Sequence, residues 1–254
     1  MSTPDFGRTA RDYATHRAGF PPSLFARLQH LGLGVAGQAV VDLGSGTGSL
    51  ARGFAARGCR VVAVDISAPL LDEAQRLAGD QGVPLEVRVA RAEDTGLPAG
   101  AADVVTAGQC WHWFDRPAAT REACRLLRPD GAVVIAHFDW VPLRGNVVEA
   151  TEALIQEHNP AWAMGGGTGL YPQWLRDLGE GGLRELQSFS YDEAVDYTPE
   201  AWRGRIRASA GVGASLAPGA VGAFDRALAE VLARCHPGLV LSIPHRVFAV
   251  VGRR

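Results

Sequence analysis

Val40-Val41-Asp42-Leu43-Gly44-Ser45-Gly46-Thr47-Gly48 is a short apolar run that breaks into three alternating glycines. Asp65 closes a second apolar run, Val61-Val62-Ala63-Val64, twenty-one residues after Gly44. A strand, a glycine turn, a helix and an acid-tipped strand make the half-site that holds a nucleoside against a parallel sheet. Glycine lets the main chain approach a ligand with no Cβ in the way, and a carboxylate accepts both ribose hydroxyls. The dinucleotide fingerprint G-x-G-x-x-G needs glycine where Ser49 stands, and the chain contains no lysine at all, which excludes a P-loop and a Schiff-base enzyme. The expectation is a cofactor that carries a nucleoside without a pyrophosphate.

Working outward, Pro21 to Leu31 reads as a helix with Leu24, Phe25, Leu28 and Leu31 on one face, after a polar arm with Tyr13, His16 and Arg17. Gly48 to Ala56 is the next helix, and Ser67 caps a third that carries Leu70, Leu71, Ala74, Leu77 and Ala78 inward and stops at Gly79. Leu85 to Val89 alternates as a half-buried strand, whereas Ala102 to Ala107 and Ala132 to Ala136 are nearly continuous apolar runs, the pattern of strands covered on both faces, with a Pro117 to Leu127 helix between them. Right-handed crossovers stack such units into a parallel sheet whose carboxyl ends share one edge, where Gly44, Asp65, Ala92 and Gln109 fall.

From Phe138 to Ser190 the alternation gives way to helices with Trp140, Trp162 and Trp174, and to a glycine run, Gly165-Gly166-Gly167-Thr168-Gly169. No apolar strand leads into that run and no capped helix follows, so it reads as a flexible lid linker in preference to a phosphate nest. Leu239 to Val251 alternates again, and Pro244 suggests that this last strand begins at a sheet edge.

A chain of 254 residues, 47% apolar, buries a large core, and a net charge of -2 argues against a nucleic-acid surface. Arg203, Arg205 and Arg207 do not form a basic stripe, because on a helix Arg205 points nearly opposite the other two. Cys59, Cys110, Cys124 and Cys235 have no paired spacing, and there is no apolar stretch of membrane-spanning length, so a reducing cytoplasm without disulfides is expected.

The stretch from Val41 to Gly48 resembles the first motif of class I S-adenosylmethionine-dependent methyltransferases. The likeness continues through Ala92-Glu93-Asp94-Thr95-Gly96-Leu97-Pro98, Asp103-Val104-Val105, Gln109-Cys110-Trp111-His112-Trp113-Phe114-Asp115 and Leu126-Leu127-Arg128-Pro129-Asp130-Gly131. It covers roughly residues 10 to 138 and is similar to the small-molecule branch (methyltransferase type 11, trans-aconitate methyltransferase-like) by motif order.

The resemblance implies an α/β, Rossmann-like sheet of seven strands, the last antiparallel, with helices on both faces and a C-terminal helical insert or lid. One domain, 1–254, would divide into an N-terminal arm and helix (1–37), a cofactor core (38–138), a specificity insert with the sixth strand (139–237) and the final strand (238–254). It further implies that Asp42, Gly44, Ser45, Gly46, Asp65, Ile66, Ala92, Glu93 and Gln109 hold S-adenosylmethionine, with S-adenosylhomocysteine as product and no metal. Arg91 departs from the family, which commonly has an acid there for the adenine amino group; Glu93 or backbone would substitute. Phe20-Pro21 departs from a Tyr-Pro pair in the arm.

Methyl transfer needs donor and acceptor held in line with water excluded. His112 is the candidate general base, since an imidazole titrates near neutral pH. A histidine in an aromatic run is also often a hydrogen-bonded wall. Trp111, Trp113, Tyr13, His16 and His137 are the candidate acceptor contacts; extended geometry would put Trp111 and Trp113 on one face and His112 and Phe114 on the other. His137 and Asp139 share a strand face, but no third ligand accompanies them, so metal is not expected. Cys110 follows Gln109 where a nucleophilic cysteine would follow proline, and reads as a small wall residue.

The expected activity is methylation of O or N, less readily C, on a small metabolite such as a natural-product intermediate of secondary metabolism, by a monomer or homodimer without nucleic-acid or membrane partners. A relative using the same cofactor for other chemistry, and a non-catalytic cofactor-binding module, are the alternatives.

Overall fold

The computed structural model describes residues 18–254. In it the chain forms two compact units, one of Gly19–Phe138, Tyr171–Tyr191 and Val247–Arg254, the other of Ala18, Asp139–Leu170 and Asp192–Arg246. Tyr13, His16 and Arg17 lie outside the described residues.

The first unit opens with α1 (Pro22–His30), which buries Leu24, Phe25 and Leu28. Then β1 (Ala39–Leu43), α2 (Ser49–Ala55), β2 (Arg60–Asp65), α3 (Ala68–Asp80), β3 (Glu86–Val89), β4 (Ala102–Gly108), α4 (Arg116–Leu126) and β5 (Leu127–Trp140) alternate as the apolar runs require. β3, β2, β1, β4 and β5 pair in parallel, with Val41 opposite Val62 and Val105, and Val105 opposite Val133. Side chains on the inner strands meet helices, so Val41, Leu43, Val105, Val133 and Ile135 are all buried in one core with Leu126, Trp174 and Leu178. The outermost strand, β3, is largely exposed, less buried than its alternation suggested.

Two further strands complete the sheet, β6 (Arg184–Tyr197) and β7 (Leu241–Arg253), in the order β3-β2-β1-β4-β5-β7-β6. Bonds from Val141 N to Pro244 O and from Arg254 N to Gly131 O run in opposite chain directions, so β7 is antiparallel to β5. The expected seven strands with an antiparallel last member are the ones found.

Pro244 is not at an edge, because β7 lies between β5 and β6. An ordinary residue there would return an N–H to Val141 O; Asn146 Nδ2 donates to that oxygen instead, at 2.9 Å. Ser67 stands at the N-cap of α3, but its hydroxyl makes no cap bond; its own N–H donates to Asp65 Oδ1.

The stretch 139–237, read as one insert, is divided between the units: α6 (Gln173–Glu180) and the first half of β6 belong with the first unit. The second unit has its own core, built by α5 (Val147–His158), α7 (Pro199–Arg207) and α8 (Pro218–Cys235) around Val148, Ile155, Trp202, Ile206, Phe224 and Leu228. Within it Arg203 and Arg207 both bond Asp225, while Arg205 lies over the Trp140 ring at 4.6 Å. The three arginines thus part as helical geometry dictates.

Candidate functional site

All candidate residues within the described range lie in the first unit. β1 delivers Asp42 to the carboxyl edge of the sheet, where it is almost fully buried and accepts from Ser45 Oγ at 2.6 Å and Thr106 Oγ1 at 2.5 Å. Burial pushes its carboxyl up to about 6, the two hydroxyl bonds pull against that, and the charge of Asp65 pushes the same way as burial. Asp42 therefore organises the loop from beneath.

The glycines differ in kind. Gly44 has φ 62, and a Cβ there would meet Phe114 Cζ at 2.7 Å and Cys110 Sγ at 2.9 Å, so packing as well as backbone demands glycine. Gly46 has φ 56 with nothing within 4 Å of a Cβ, so its main chain faces open space that a ligand can enter. Its N–H donates to Asp65 Oδ2 at 2.8 Å, and Ser67 N donates to the other oxygen at 2.9 Å. Each carboxylate oxygen keeps further acceptor capacity, enough for a diol. Ile66, next in sequence, is 72% exposed, an apolar surface of the kind a purine face covers. Ser49, which breaks the dinucleotide fingerprint, accepts from Phe20 N at 3.2 Å and so fastens the segment before α1.

The Ala92–Pro98 stretch is held by buried Glu122, whose carboxylate accepts from Thr95 N at 3.0 Å and Thr95 Oγ1 at 2.5 Å and pairs with Arg125. Despite the cost of burial, Arg125 and Thr95 hold Glu122 down at about 2. Ala92 is buried; Glu93 accepts from Asp115 N at 3.0 Å and pairs with Arg91 at 3.3 Å. Glu93 thus joins this stretch to the start of α4, where Asp115 caps Ala118 N.

Beyond β4 the chain turns at Gln109 into one turn of 3-10 helix, Trp111–Trp113. This corrects the extended reading, because a helical turn sends the two tryptophans apart: Trp111 is 0% exposed and Trp113 is 41% exposed. Trp111 gives its indole N–H to Asp177 Oδ2 at 3.0 Å and packs edge-on to Phe114, so it is a wall residue where an acceptor contact was expected. His112 is half-buried, its ring 4.6 Å from Trp113 and 6.0 Å from His137.

His137 is also buried rather than open to an acceptor. Trp174 Nε1 donates to His137 Nε2 at 3.2 Å, and since an indole N–H only donates, the accepting ring carries its proton on Nδ1. Tyr171 stacks on His137 at 4.0 Å and lies parallel to Trp174. Tyr171 and Trp174, which pack on the candidate His137, were not among the expected site residues. Their only signal was an aromatic pair at i, i+3 opening a short helix, which equally describes a core face. Among the described residues no group of three or more His, Cys, Asp or Glu is placed to hold a metal ion.

This edge, with its open glycine turn, acid-tipped second strand and apolar neighbour, has the layout of a nucleoside half-site on a Rossmann-like α/β sheet. Residues 41–135 match the family model described as "Methyltransferase domain". An uncharacterised methyltransferase of Mycobacterium tuberculosis is 34% identical over 149 residues, which are 56% of this chain and 58% of that protein. The chain thus spans a little over half the length of that relative. A chain from Anaeromyxobacter dehalogenans solved as a candidate type II methyltransferase superposes with a TM-score of 0.65 at 24% identity, covering 93% of this chain and 97% of that one. Phosphoethanolamine N-methyltransferase 2 of Haemonchus contortus, solved with phosphomonomethylethanolamine and S-adenosylhomocysteine, gives 0.59 at 18% identity, covering 100% of this chain and 60% of that one. Residues 41–135 thus match a methyltransferase domain, within a fold shared with these solved structures.

Proposed function

We propose that this protein methylates an oxygen or nitrogen of a small metabolite, with S-adenosylmethionine as donor. The observation that carries the reading is the pairing of Gly46 with Asp65: an open main-chain turn whose N–H is bonded to a carboxylate that retains acceptor sites for a ribose. Gly44, Ser45 and Gly46 would flank the methionyl part, Asp65 the sugar, and Ile66, Ala92 and Glu93 the base. The cofactor, when bound, supplies a methyl group activated by a sulfonium.

This chain's own part is placement and proton handling. The 3-10 turn carries His112 and Trp113, its flanking Cys110 and Phe114 pack against Gly44, and the His112 imidazole would take the proton of an acceptor O–H or N–H. An amine attacks as the neutral base and loses its proton afterwards, so His112 matters most for a hydroxyl acceptor. Trp113 offers an aromatic face to the cationic methyl group and excludes water from it. We further propose a small-molecule acceptor from secondary metabolism, no nucleic-acid partner and a cytoplasmic setting. No helix among the described residues is long and apolar enough to cross a membrane.

The test is calorimetric titration with S-adenosylhomocysteine, then incubation of the protein with S-adenosylmethionine and candidate acceptors. A methylated product supports the reading. A changed but unmethylated product would move it to other sulfonium chemistry, and binding without any turnover to a cofactor-binding module.

A further inference from the structure

We propose that Gln109, expected to touch the cofactor, is instead a positioning residue that clamps the His112 turn onto β5. The inference rests on the methyltransferase reading and goes beyond it in assigning this side chain.

Gly108, the last residue of β4, pairs with Ala136 of β5, and Gln109 N still donates to Ala136 O at 2.8 Å. There the backbone leaves the ladder with φ 59, a left-handed conformation that a residue with a side chain adopts at a cost. In a continuing parallel ladder the next N–H toward β5, that of Trp111, would serve Phe138 O. The Gln109 carboxamide supplies that bond instead, Nε2 donating to Phe138 O. The two bonds of this one residue bracket His137 on β5.

The turn that follows is closed by Trp113 N donating to Cys110 O at 2.9 Å, and it carries His112 to 6.0 Å from the His137 ring. The spacing of the two imidazoles is therefore set through Gln109. Backbone strain at such a position persists only where surrounding bonds impose it. The side chain has both the reach and the N–H to impose it.

Two variants separate the ways this position acts. Gln109→Met keeps the length and loses the donor; Gln109→Gly accepts φ 59 without strain and also loses the donor. Each, as the full chain, is titrated with S-adenosylhomocysteine by calorimetry. In the same complex the His112 Cε1–H resonance, assigned with His112→Gln, is followed by NMR against pH. The expected result is an S-adenosylhomocysteine affinity within about threefold of the parent, together with a shifted His112 resonance that titrates at a displaced midpoint in both variants. A larger affinity loss overturns the assignment in favour of a cofactor contact, and a His112 titration identical to the parent's overturns it as well. Should Gln109→Met fail to fold, Gln109→Gly decides alone. Failure of the parent protein itself to bind S-adenosylhomocysteine defeats the methyltransferase reading, a result distinct from either outcome for the variants.

Discussion

Two glycine-rich stretches, Gly44–Gly48 in the first unit and Gly165–Gly169 in the second, have nearly the same composition and opposite construction. The first turns directly out of β1 and is fastened by neighbours on the sheet: Ser45 N to Val64 O at 3.0 Å, and Gly46 N to Asp65. The second follows no strand and is held by side chains brought from elsewhere in its unit. Gly166 N donates to buried Glu152 at 2.7 Å, while Trp140 Nε1 donates to the same carboxylate and Arg246 donates to Thr168 O at 2.9 Å. The linker reading of that run thus left out two anchors. Glycine content says little; what the main chain is bonded to decides whether a turn can serve as a ligand site.

Adding one carbon to each loop is the sharpest way to break this comparison. Gly44→Ala meets both a positive φ and two side chains, so a loss of about 3 to 4 kcal/mol in urea unfolding is expected. Gly166→Ala meets a positive φ of 70 but no atom within 4 Å, and about 1 kcal/mol is expected. Equal losses would remove the distinction.

The next effect is one of pH. Asp42 binds its proton more tightly when folded, with its carboxyl raised from 3.8 to about 6. The folded state therefore holds more protons than the unfolded chain between those values, and this group's contribution to stability falls as pH rises through that window. Asp42→Asn has no such term. Relative to the variant, the parent should lose about 3 kcal/mol between pH 3 and pH 7. Parallel curves would show that the loop does not rest on a buried acid.

In the second unit the buried partner is an indole. Trp202, wholly buried, donates to Thr151 Oγ1 at 3.0 Å, and Trp202→Phe should cost about 2 kcal/mol in urea unfolding through lost volume and an unmade bond.

These cases also explain what the sequence allowed to be read. The strands 40–43, 61–65 and 102–107, and the Gly44 and Asp65 turns, were legible because each is encoded within a few consecutive residues. Trp111 was misplaced because its burial depends on Asp177, 66 residues on, and on a 3-10 turn that no local signal announced. Tyr171 and Trp174 were passed over because their meeting with His137 depends on α6 returning to the sheet. The role of Asn146 beside Pro244 has no local signature for the same reason.

The smallest effect expected is at Arg91, an exposed side chain paired with Glu93 at 3.3 Å. Arg91→Ala should leave S-adenosylhomocysteine affinity within several-fold, less than about 1 kcal/mol.

The central claim is that the Gly46 turn and the Asp65 carboxylate together hold the nucleoside of a sulfonium cofactor. Titrating the parent and Asp65→Ala with S-adenosylhomocysteine in a calorimeter tests it most directly. Saturable binding by the parent and a loss of about a hundredfold or more in the variant are predicted; binding that survives the substitution, or a parent that takes up no S-adenosylhomocysteine, would contradict it.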